Sequence, residues 1–168
     1  MPRLGDRVNA DTVRLTMRSL GLLLLVALSA CSLGGPLEPD ERRDLDRARA
    51  RWEARALKEY TFETRTFCFC DPAISIWTEI HVRNDTVTSA TPLSALPATY
   101  TAAPLVAWHT VPKLFDVVES SASSNFTRDI VATYDDELGY PRMIDVRCHD
   151  NIADCGVTYE ARNLRPIR

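Results

Sequence analysis

An apolar run near the amino terminus constrains this chain more than any other feature, because it divides the sequence into two parts that cannot share one fold. The run covers residues 20–28 and is followed by Ser29, Ala30 and Cys31. It has about half of the roughly 20 apolar residues that a membrane-spanning helix needs, which disfavours a permanent transmembrane segment. Arginines before a short apolar run and small residues after it are typical of a secretory signal. We therefore expect residues 1–31 to be a signal sequence and the remainder to form the fold.

The end of this run also predicts a lipid anchor. Leu28, Ser29, Ala30 and Cys31 resemble a bacterial lipobox, in which the cysteine sulfur takes up diacylglycerol and the new amino terminus is usually acylated. Several acyl chains hold a protein stably on a bilayer, because each buried methylene contributes roughly 0.8 kcal/mol. The sequence therefore predicts that Cys31 attaches the protein to a membrane of the bacterial cell envelope. An ordinary secretory signal that ends near a cysteine is the alternative.

The residue after the anchor bears on which membrane carries the protein. In bacteria with two membranes, aspartate at this position is the usual signal for retention at the inner membrane, and this chain has Ser32. We therefore expect the outer membrane, with the domain facing the periplasm. In a bacterium with one membrane, the domain would lie on the outer face of the cytoplasmic membrane.

The charge of the segment after Cys31 disfavours one class of partner. Residues 1–31 hold four of the 20 Lys and Arg and two of the 23 Asp and Glu, which leaves 16 basic and 21 acidic side chains. A nucleic-acid surface needs clustered basic side chains, whereas Lys58 and Lys113 are the only lysines and the arginines are dispersed. We expect no nucleic-acid partner. The 137 residues that remain suit a single domain, which buries about two thirds of its unfolded surface without needing a metal.

Local patterns predict how this domain begins. Residues 32–39, with two glycines and two prolines, are typical of a flexible tether, and the domain is expected over residues 40–168. Asp40 is expected to cap the first helix, since its carboxylate suits a helix amino terminus. Apolar residues three and four apart then form one stripe on a highly charged helix. This stripe comprises Leu45, Ala48, Trp52 and Ala56.

Alternating apolar and polar residues predict strands in two groups of three, with a second helix between them that Thr110 caps. The strands are expected at residues 60–70, 74–83, 86–91, 126–134, 142–148 and 157–164. The order α-β-β-β-α-β-β-β, with hairpin links, favours an α+β domain. We expect a mostly antiparallel sheet of five or six strands with both helices packed on one face. The long proline-punctuated stretch after the third strand is expected to cover a sheet edge through Tyr100, Leu105 and Trp108.

Short motifs over residues 45–165 carry a family resemblance. They are Trp52, Tyr60-Thr61-Phe62, Cys68-Phe69-Cys70, Leu114-Phe115-Asp116, Tyr134-Asp135 with Gly139-Tyr140-Pro141, and Ile152-Ala153-Asp154. Together they resemble the bacterial family known as domain of unknown function 6174, many members of which are similar in carrying a lipoprotein leader. The Cys-Phe-Cys and Gly-Tyr-Pro steps are the most specific parts. The resemblance implies no established activity.

Four cysteines remain once Cys31 is lipidated, and four cysteines allow three disulfide pairings. Cys148 and Cys155 flank a loop between strands, and a bond between them would constrain the unfolded chain by roughly 2.5 kcal/mol. The resemblance implies that these two were added to a pattern that already had Cys68 and Cys70, so that each pair closes on itself. In a regular strand, however, Cys68 and Cys70 would lie about 6.6 Å apart at Cα, near the outer limit for a disulfide, so a kink is needed. Cross-pairing stays open.

Metal and cofactor sites are not indicated by the sequence. Adjacent Cys148 and His149 point to opposite faces of a strand, which disfavours zinc, and His81 and His109 are better explained as surface or satisfied residues. The acidic run at residues 135–137 lacks the spacing of a calcium loop. Motifs for phosphate binding, zinc hydrolysis and a serine nucleophile are also missing. We expect neither a cofactor nor a catalytic residue.

These observations lead to two hypotheses about function. The first is a non-enzymatic, lipid-anchored module that binds an unidentified protein or other component of the envelope. Trp77, Tyr100 and Trp108 are the candidate contact residues, because aromatic side chains are enriched in contact surfaces. The alternative is a thiol–disulfide protein that uses Cys68 and Cys70.

Overall fold

The computed structural model describes residues 36–167. The expected signal sequence, Cys31 and residues 32–35 lie outside the described residues. The described part contains two helices and six strands in the expected order. They are α1 (Pro39–Arg55), β1 (Glu59–Cys68), β2 (Thr78–Arg83), β3 (Thr86–Pro92), α2 (Val111–Ala122), β4 (Thr127–Tyr134), β5 (Pro141–Cys148) and β6 (Val157–Pro166). None of these helices is long and apolar enough to cross a membrane.

The strands form one antiparallel sheet in the order β3-β2-β1-β6-β5-β4. Each group of three strands folds as a meander, and the first strand of one meander pairs with the last strand of the other. The β2–β3 turn consists of Asn84 and Asp85, whose φ values of 48° and 56° suit a tight hairpin. This architecture confirms the predicted α+β domain.

Both helices pack on the same face of the sheet, where the alternating apolar residues of the strands form the core. The rings of Trp52 in α1 and Tyr60 in β1 meet edge to face, with centroids 5.1 Å apart. The Tyr60 hydroxyl accepts a hydrogen bond from the backbone N–H of Val111, the first residue of α2, at 3.1 Å. Tyr60 therefore joins β1 to both helices, and its buried hydroxyl is satisfied.

The segment between β3 and α2 covers the edge of the sheet that the helices leave bare. Trp108 belongs to the buried core, with only 8% of its surface exposed, and half-buried Val87 and Ala90 of β3 pack against this core. Thr110 caps α2 as predicted, since its hydroxyl accepts the N–H of Lys113 at 3.5 Å. The expectation that this stretch covers a sheet edge is confirmed for Trp108.

The β4–β5 turn packs directly on α1. Gly139 in this turn has φ +84°, and a Cβ atom built on it would lie 2.3 Å from the carbonyl oxygen of Ala48. Arg51 donates from Nη1 to the carbonyl oxygen of Asp136 at 2.7 Å, and Arg55 donates to the next carbonyl at 2.8 Å. Only glycine allows the turn to pack this closely on α1, which explains the glycine of the Gly-Tyr-Pro motif.

The structure corrects the predicted start of the domain. Glu38, rather than Asp40, is the amino-terminal cap of α1, and its backbone N–H donates to the carboxylate of Glu41 at 2.9 Å. Asp40 lies in the first turn because Pro39 already begins the helix. Leu37 lies within the predicted tether but is buried in the core, since an apolar side chain gains by leaving water.

Two further predictions about local structure were wrong. Ala56 is exposed at the carboxyl-terminal cap of α1, with φ 47°, so it does not belong to the buried stripe. The second strand begins at Thr78 rather than at residue 74, because a 3-10 turn occupies Pro72–Ser75. The side chain of Asp71 accepts the N–H of Ala73 at 2.9 Å and thereby stabilises the turn instead of a strand.

Candidate functional site

The face of the sheet opposite the helices carries a series of ion pairs between neighbouring strands. Arg162 of β6 donates to Glu63 of β1 at 2.7 Å, and Arg65 of β1 donates to Glu160 of β6 at 2.5 Å. Arg165 and Glu79 are 3.0 Å apart across β1. Because the charges of this open face are largely paired within the chain, it does not present an excess of either sign.

Hydrogen bonds within these pairs shift the pKa values of two carboxylates. The hydrogen bond from Arg83 lowers the pKa of Glu59, with a smaller contribution from His81 at 2.9 Å. The hydrogen bond from Asn163 lowers the pKa of Glu63, and Arg162 contributes less. Both carboxylates are therefore held in the charged form at neutral pH.

Trp77, the first candidate contact residue, lies half-buried on this open face among the paired charges. The guanidinium carbon of Arg162 is 3.9 Å from the Trp77 ring centre, and that of Arg65 is 4.5 Å from it. These cation–π contacts position both arginines beside their carboxylate partners. The indole therefore already serves as a stacking platform within the chain.

Trp108, another candidate, lies on the other side of the sheet and lines an open cavity of about 440 Å³. Leu105 and Val106 line the same cavity and are exposed, Val106 to 89%. Tyr100 is exposed in the same connection between β3 and α2. The structure thus places Trp108 and Trp77 on opposite faces and does not bring them into one site.

The cavity at Trp108 combines apolar walls with a few polar groups. Its lining residues are Asp85, Thr86, Val87, Leu105, Val106, Trp108, His109, Thr110 and Lys113. Burial lowers the pKa of His109, and Lys113 lowers it further, so the imidazole is neutral at pH 7. The indole N–H of Trp108 is buried and has no hydrogen-bond partner among the described residues.

The sequence indicated Leu105 and Trp108 in one covering stretch and Thr110 as a helix cap, but it did not indicate that they line a cavity together. One available signal was charge, since residues 86–108 contain no Asp, Glu, Lys or Arg in a chain that is 26% charged. His109, which was expected to be a surface or satisfied residue, also lines this cavity. Asp85 of the β2–β3 turn reaches the cavity only through tertiary folding, so no local sequence pattern indicated its position there.

The described part contains two disulfides, Cys68–Cys70 and Cys148–Cys155. The Cα atoms of Cys68 and Cys70 are 5.2 Å apart, closer than the roughly 6.6 Å of a regular strand, because β1 ends at Cys68. A Cys68–Cys148 bond is excluded by the sheet order, which places β6 between β1 and β5. Two strand spacings separate Cys68 from Cys148 by about 9.6 Å or more, beyond disulfide reach.

The two disulfides differ in exposure and in their contribution to stability. Cys68 and Cys70 are exposed, whereas Cys148 and Cys155 are half-buried. On the loop-entropy relation, a closed loop of three residues stabilises the fold by about 1.6 kcal/mol and one of eight residues by about 2.5 kcal/mol. Phe69, between the first two cysteines, is 83% exposed. The Cys68–Cys70 disulfide is thus the more accessible and contributes less to the fold.

Among residues 36–167, no three or more His, Cys, Asp and Glu side chains are grouped so that they could hold a metal ion. His81 pairs with Glu59 on the open face. Asp135 accepts the N–H groups of Glu137 and Leu138 at 3.1 and 2.7 Å, which gives the acidic turn a structural role.

Comparison with known proteins identifies one similarity. A family model described as a family of unknown function (DUF6174) matches residues 44–166, which include most of α1, all of α2, the six strands and all four cysteines of the two disulfides. No curated protein and no solved structure matches the chain.

Proposed function

This chain belongs to the family of unknown function DUF6174, and we propose that it acts as a lipid-anchored binding module of the bacterial cell envelope. The lipobox-like residues 28–31 support the anchor, with Cys31 as the acceptor of the lipid. The domain then contacts a second envelope component without chemical conversion of that partner. In a bacterium with two membranes it faces the periplasm from the outer membrane.

The cavity at Trp108 carries the proposal of a binding surface. Exposed Leu105 and Val106 border an opening whose wall is the buried indole of Trp108. Full burial of an aliphatic side chain contributes about 1.5–3 kcal/mol. A partner that covers Leu105 and Val106 would therefore gain a binding free energy several times larger than the thermal energy. The partner that fits is a protein with a protruding apolar side chain.

The charged residues of the open face support a binding role rather than a catalytic one. The carboxylates of Glu63, Glu79 and Glu160 each pair with an arginine. A general acid or base needs a pKa near neutral pH, whereas the pKa of Glu63 is lowered. The open face thus resembles a solvated surface stabilised by cross-strand pairs.

Photo-crosslinking in the parent bacterium tests the contact surface. A photoreactive amino acid at position 106 should give a defined adduct, whereas one at Phe126, which is 63% exposed elsewhere, should not. Equal labelling from the two positions would contradict the proposed surface.

Mass spectrometry of the same material tests the anchor. An acylated Cys31 at the mature amino terminus is expected. A chain that keeps residues 1–30, or that has an unmodified Cys31, would contradict the anchor.

A thiol–disulfide role for Cys68 and Cys70 is the second candidate function. The specific observation in its favour is that the pair is exposed at the end of β1 and encloses an exposed phenylalanine. Exposed disulfides are the labile ones, whereas buried structural disulfides resist reduction. This candidate uses a different part of the domain from the cavity at Trp108, so the two can be tested separately.

A further inference from the structure

We propose that the Cys68–Cys70 disulfide oxidises pairs of thiols in unfolded, apolar segments of other polypeptides, and that Phe69 is the side chain on which such segments dock. This inference rests on the second candidate function. It does not depend on the cavity at Trp108 or on the lipid anchor.

The position of the disulfide allows it to open without disturbing the sheet. Cys68 is the last residue of β1 and lies opposite Val157, the first residue of β6. Cys70 lies beyond the last strand pair, where Asp71 begins the following 3-10 turn. Since no strand pair of β1 follows Cys68, reduction leaves the β1–β6 pairing intact.

The second disulfide provides an internal comparison within the same sheet. Cys148 ends β5 and Cys155 precedes β6, and both are half-buried. An attacking thiolate must reach a sulfur atom directly, so exchange depends on access. We therefore expect Cys68–Cys70 to react first and Cys148–Cys155 to persist.

Phe69 has the exposure and the position that a docking side chain needs. It is 83% exposed and lies between the two cysteines along the chain. Phe67, two residues earlier, is 42% exposed, and the guanidinium of Arg65 stacks on its ring at 4.6 Å. An apolar segment that packs on Phe69 brings its own thiols close to the disulfide, and folded proteins seldom expose such a segment.

The exchange balances in two steps. A substrate thiolate attacks one sulfur of Cys68–Cys70, so that a mixed disulfide forms and the other cysteine leaves as a thiolate, which takes up a proton. The second substrate thiolate then attacks the substrate sulfur of the mixed disulfide and releases the remaining cysteine. Two electrons pass from the substrate dithiol to Cys68 and Cys70, and the substrate gains a disulfide.

Selective reduction tests the reactive pair. The full-length protein, purified in detergent, is titrated with dithiothreitol, alkylated and digested, and each cysteine is quantified by mass spectrometry. The expected result is complete alkylation of Cys68 and Cys70 at dithiothreitol concentrations that leave Cys148 and Cys155 bonded, with an unchanged circular dichroism spectrum. Simultaneous reduction of both pairs, or reduction only with loss of structure, would overturn the proposal.

A kinetic comparison tests the docking role of Phe69. The probe is a synthetic peptide with two cysteines and two leucines, and its rate of oxidation by the protein is compared with that of dithiothreitol. Phe69→Ser should slow peptide oxidation about tenfold, equivalent to losing the partial burial of one aromatic ring, and leave the dithiothreitol rate unchanged. The control Phe126→Ser, at an exposed phenylalanine before β4, should leave both rates unchanged. Equal peptide rates for the wild type and Phe69→Ser would refute docking.

The two proposed functions fail independently. Replacement of Cys68 and Cys70 by serine abolishes peptide oxidation if the exchange proposal holds and leaves crosslinking from position 106 intact. Loss of the crosslink with oxidation preserved would count against the binding module alone.

Discussion

Gly139→Ala tests whether the β4–β5 turn depends on close contact with α1. At φ +84°, an alanine occupies the left-handed region, which costs about 1–2 kcal/mol relative to the right-handed region. Its Cβ would also lie 2.3 Å from the Ala48 carbonyl oxygen and 2.9 Å from the Arg51 Cβ. Neither atom is the end of a flexible side chain, so the turn must move, at an overpacking cost of about 1–3 kcal/mol.

The two contributions predict a loss of about 3 kcal/mol in the free energy of unfolding, with a range of about 2–5 kcal/mol. For a domain of this size, a loss of 3 kcal/mol lowers Tm by about 10 °C. The displaced turn also loses the hydrogen bonds from Arg51 and Arg55 to the carbonyl oxygens of Asp136 and Glu137. The measurement is urea unfolding followed by circular dichroism, together with thermal unfolding.

Gly156→Ala is the matched control for this substitution. Its φ lies outside the left-handed region, and the nearest atom to a new Cβ is the Val146 carbonyl oxygen at 3.5 Å, an ordinary contact. We expect a change within about 1 kcal/mol, with stabilisation favoured, because alanine restricts the unfolded chain. If Gly139→Ala and Gly156→Ala unfold at the same denaturant concentration, the proposed contact between the turn and α1 is refuted.

Three other predictions concern buried hydroxyls and disulfides. Tyr60→Phe should destabilise the domain by about 1–2 kcal/mol in urea unfolding, because it leaves the Val111 N–H without its acceptor. The control Tyr134→Phe should change the free energy of unfolding by no more than about 0.5 kcal/mol, because the Tyr134 hydroxyl has no partner among the described residues. Burial raises the pKa of Tyr60 and Tyr134 above the ordinary value of 10. As the pH rises, the unfolded chain therefore loses these protons before the folded chain does. The free energy of unfolding should be unaffected below pH 10 and should fall above pH 10 by up to about 1.4 kcal/mol per pH unit for each tyrosine. Tyr60→Phe should flatten this slope in unfolding measured between pH 9 and 11, and an equal slope in the variant would contradict the assignment. Serine at both Cys148 and Cys155 should reduce the free energy of unfolding by about 2.5 kcal/mol, and serine at both Cys68 and Cys70 should reduce it by about 1.6 kcal/mol. A larger loss from the Cys68 and Cys70 variant would contradict the argument from loop length.

The order of the elements could be predicted because its signals are local. Thr110 caps α2 with its own side chain, and five of the six strands have the expected residues to within about two positions, within the usual variation in boundaries. The sixth, β2, was extended too far towards its beginning. Alternation at residues 74–76 resembles a strand, but the hydrogen bond from Ala73 to the Asp71 carboxylate stabilises a turn there.

The candidate site was predictable only in part, because burial depends on residues that are distant in sequence. Trp77 and Trp108 are both aromatic residues beside polar neighbours, yet one stacks with Arg162 of β6 and the other belongs to the core. No local pattern distinguishes them. Phe69 is exposed because β1 ends at Cys68, whereas the alternating pattern predicts that this strand ends two residues later.

The sequence by itself determined the succession of helices and strands and the one-sided packing, because hydrophobic period, turns and caps act over a few residues. Only the tertiary structure decided that β1 pairs with β6, since Glu63 and Arg162 meet across 99 positions of sequence. That pairing places β6 between Cys68 and Cys148, which separates these two cysteines beyond disulfide reach. Local patterns do not encode distances in space. The tertiary structure therefore decided which cysteines are within reach of each other and placed the cavity at Trp108 apart from the open face.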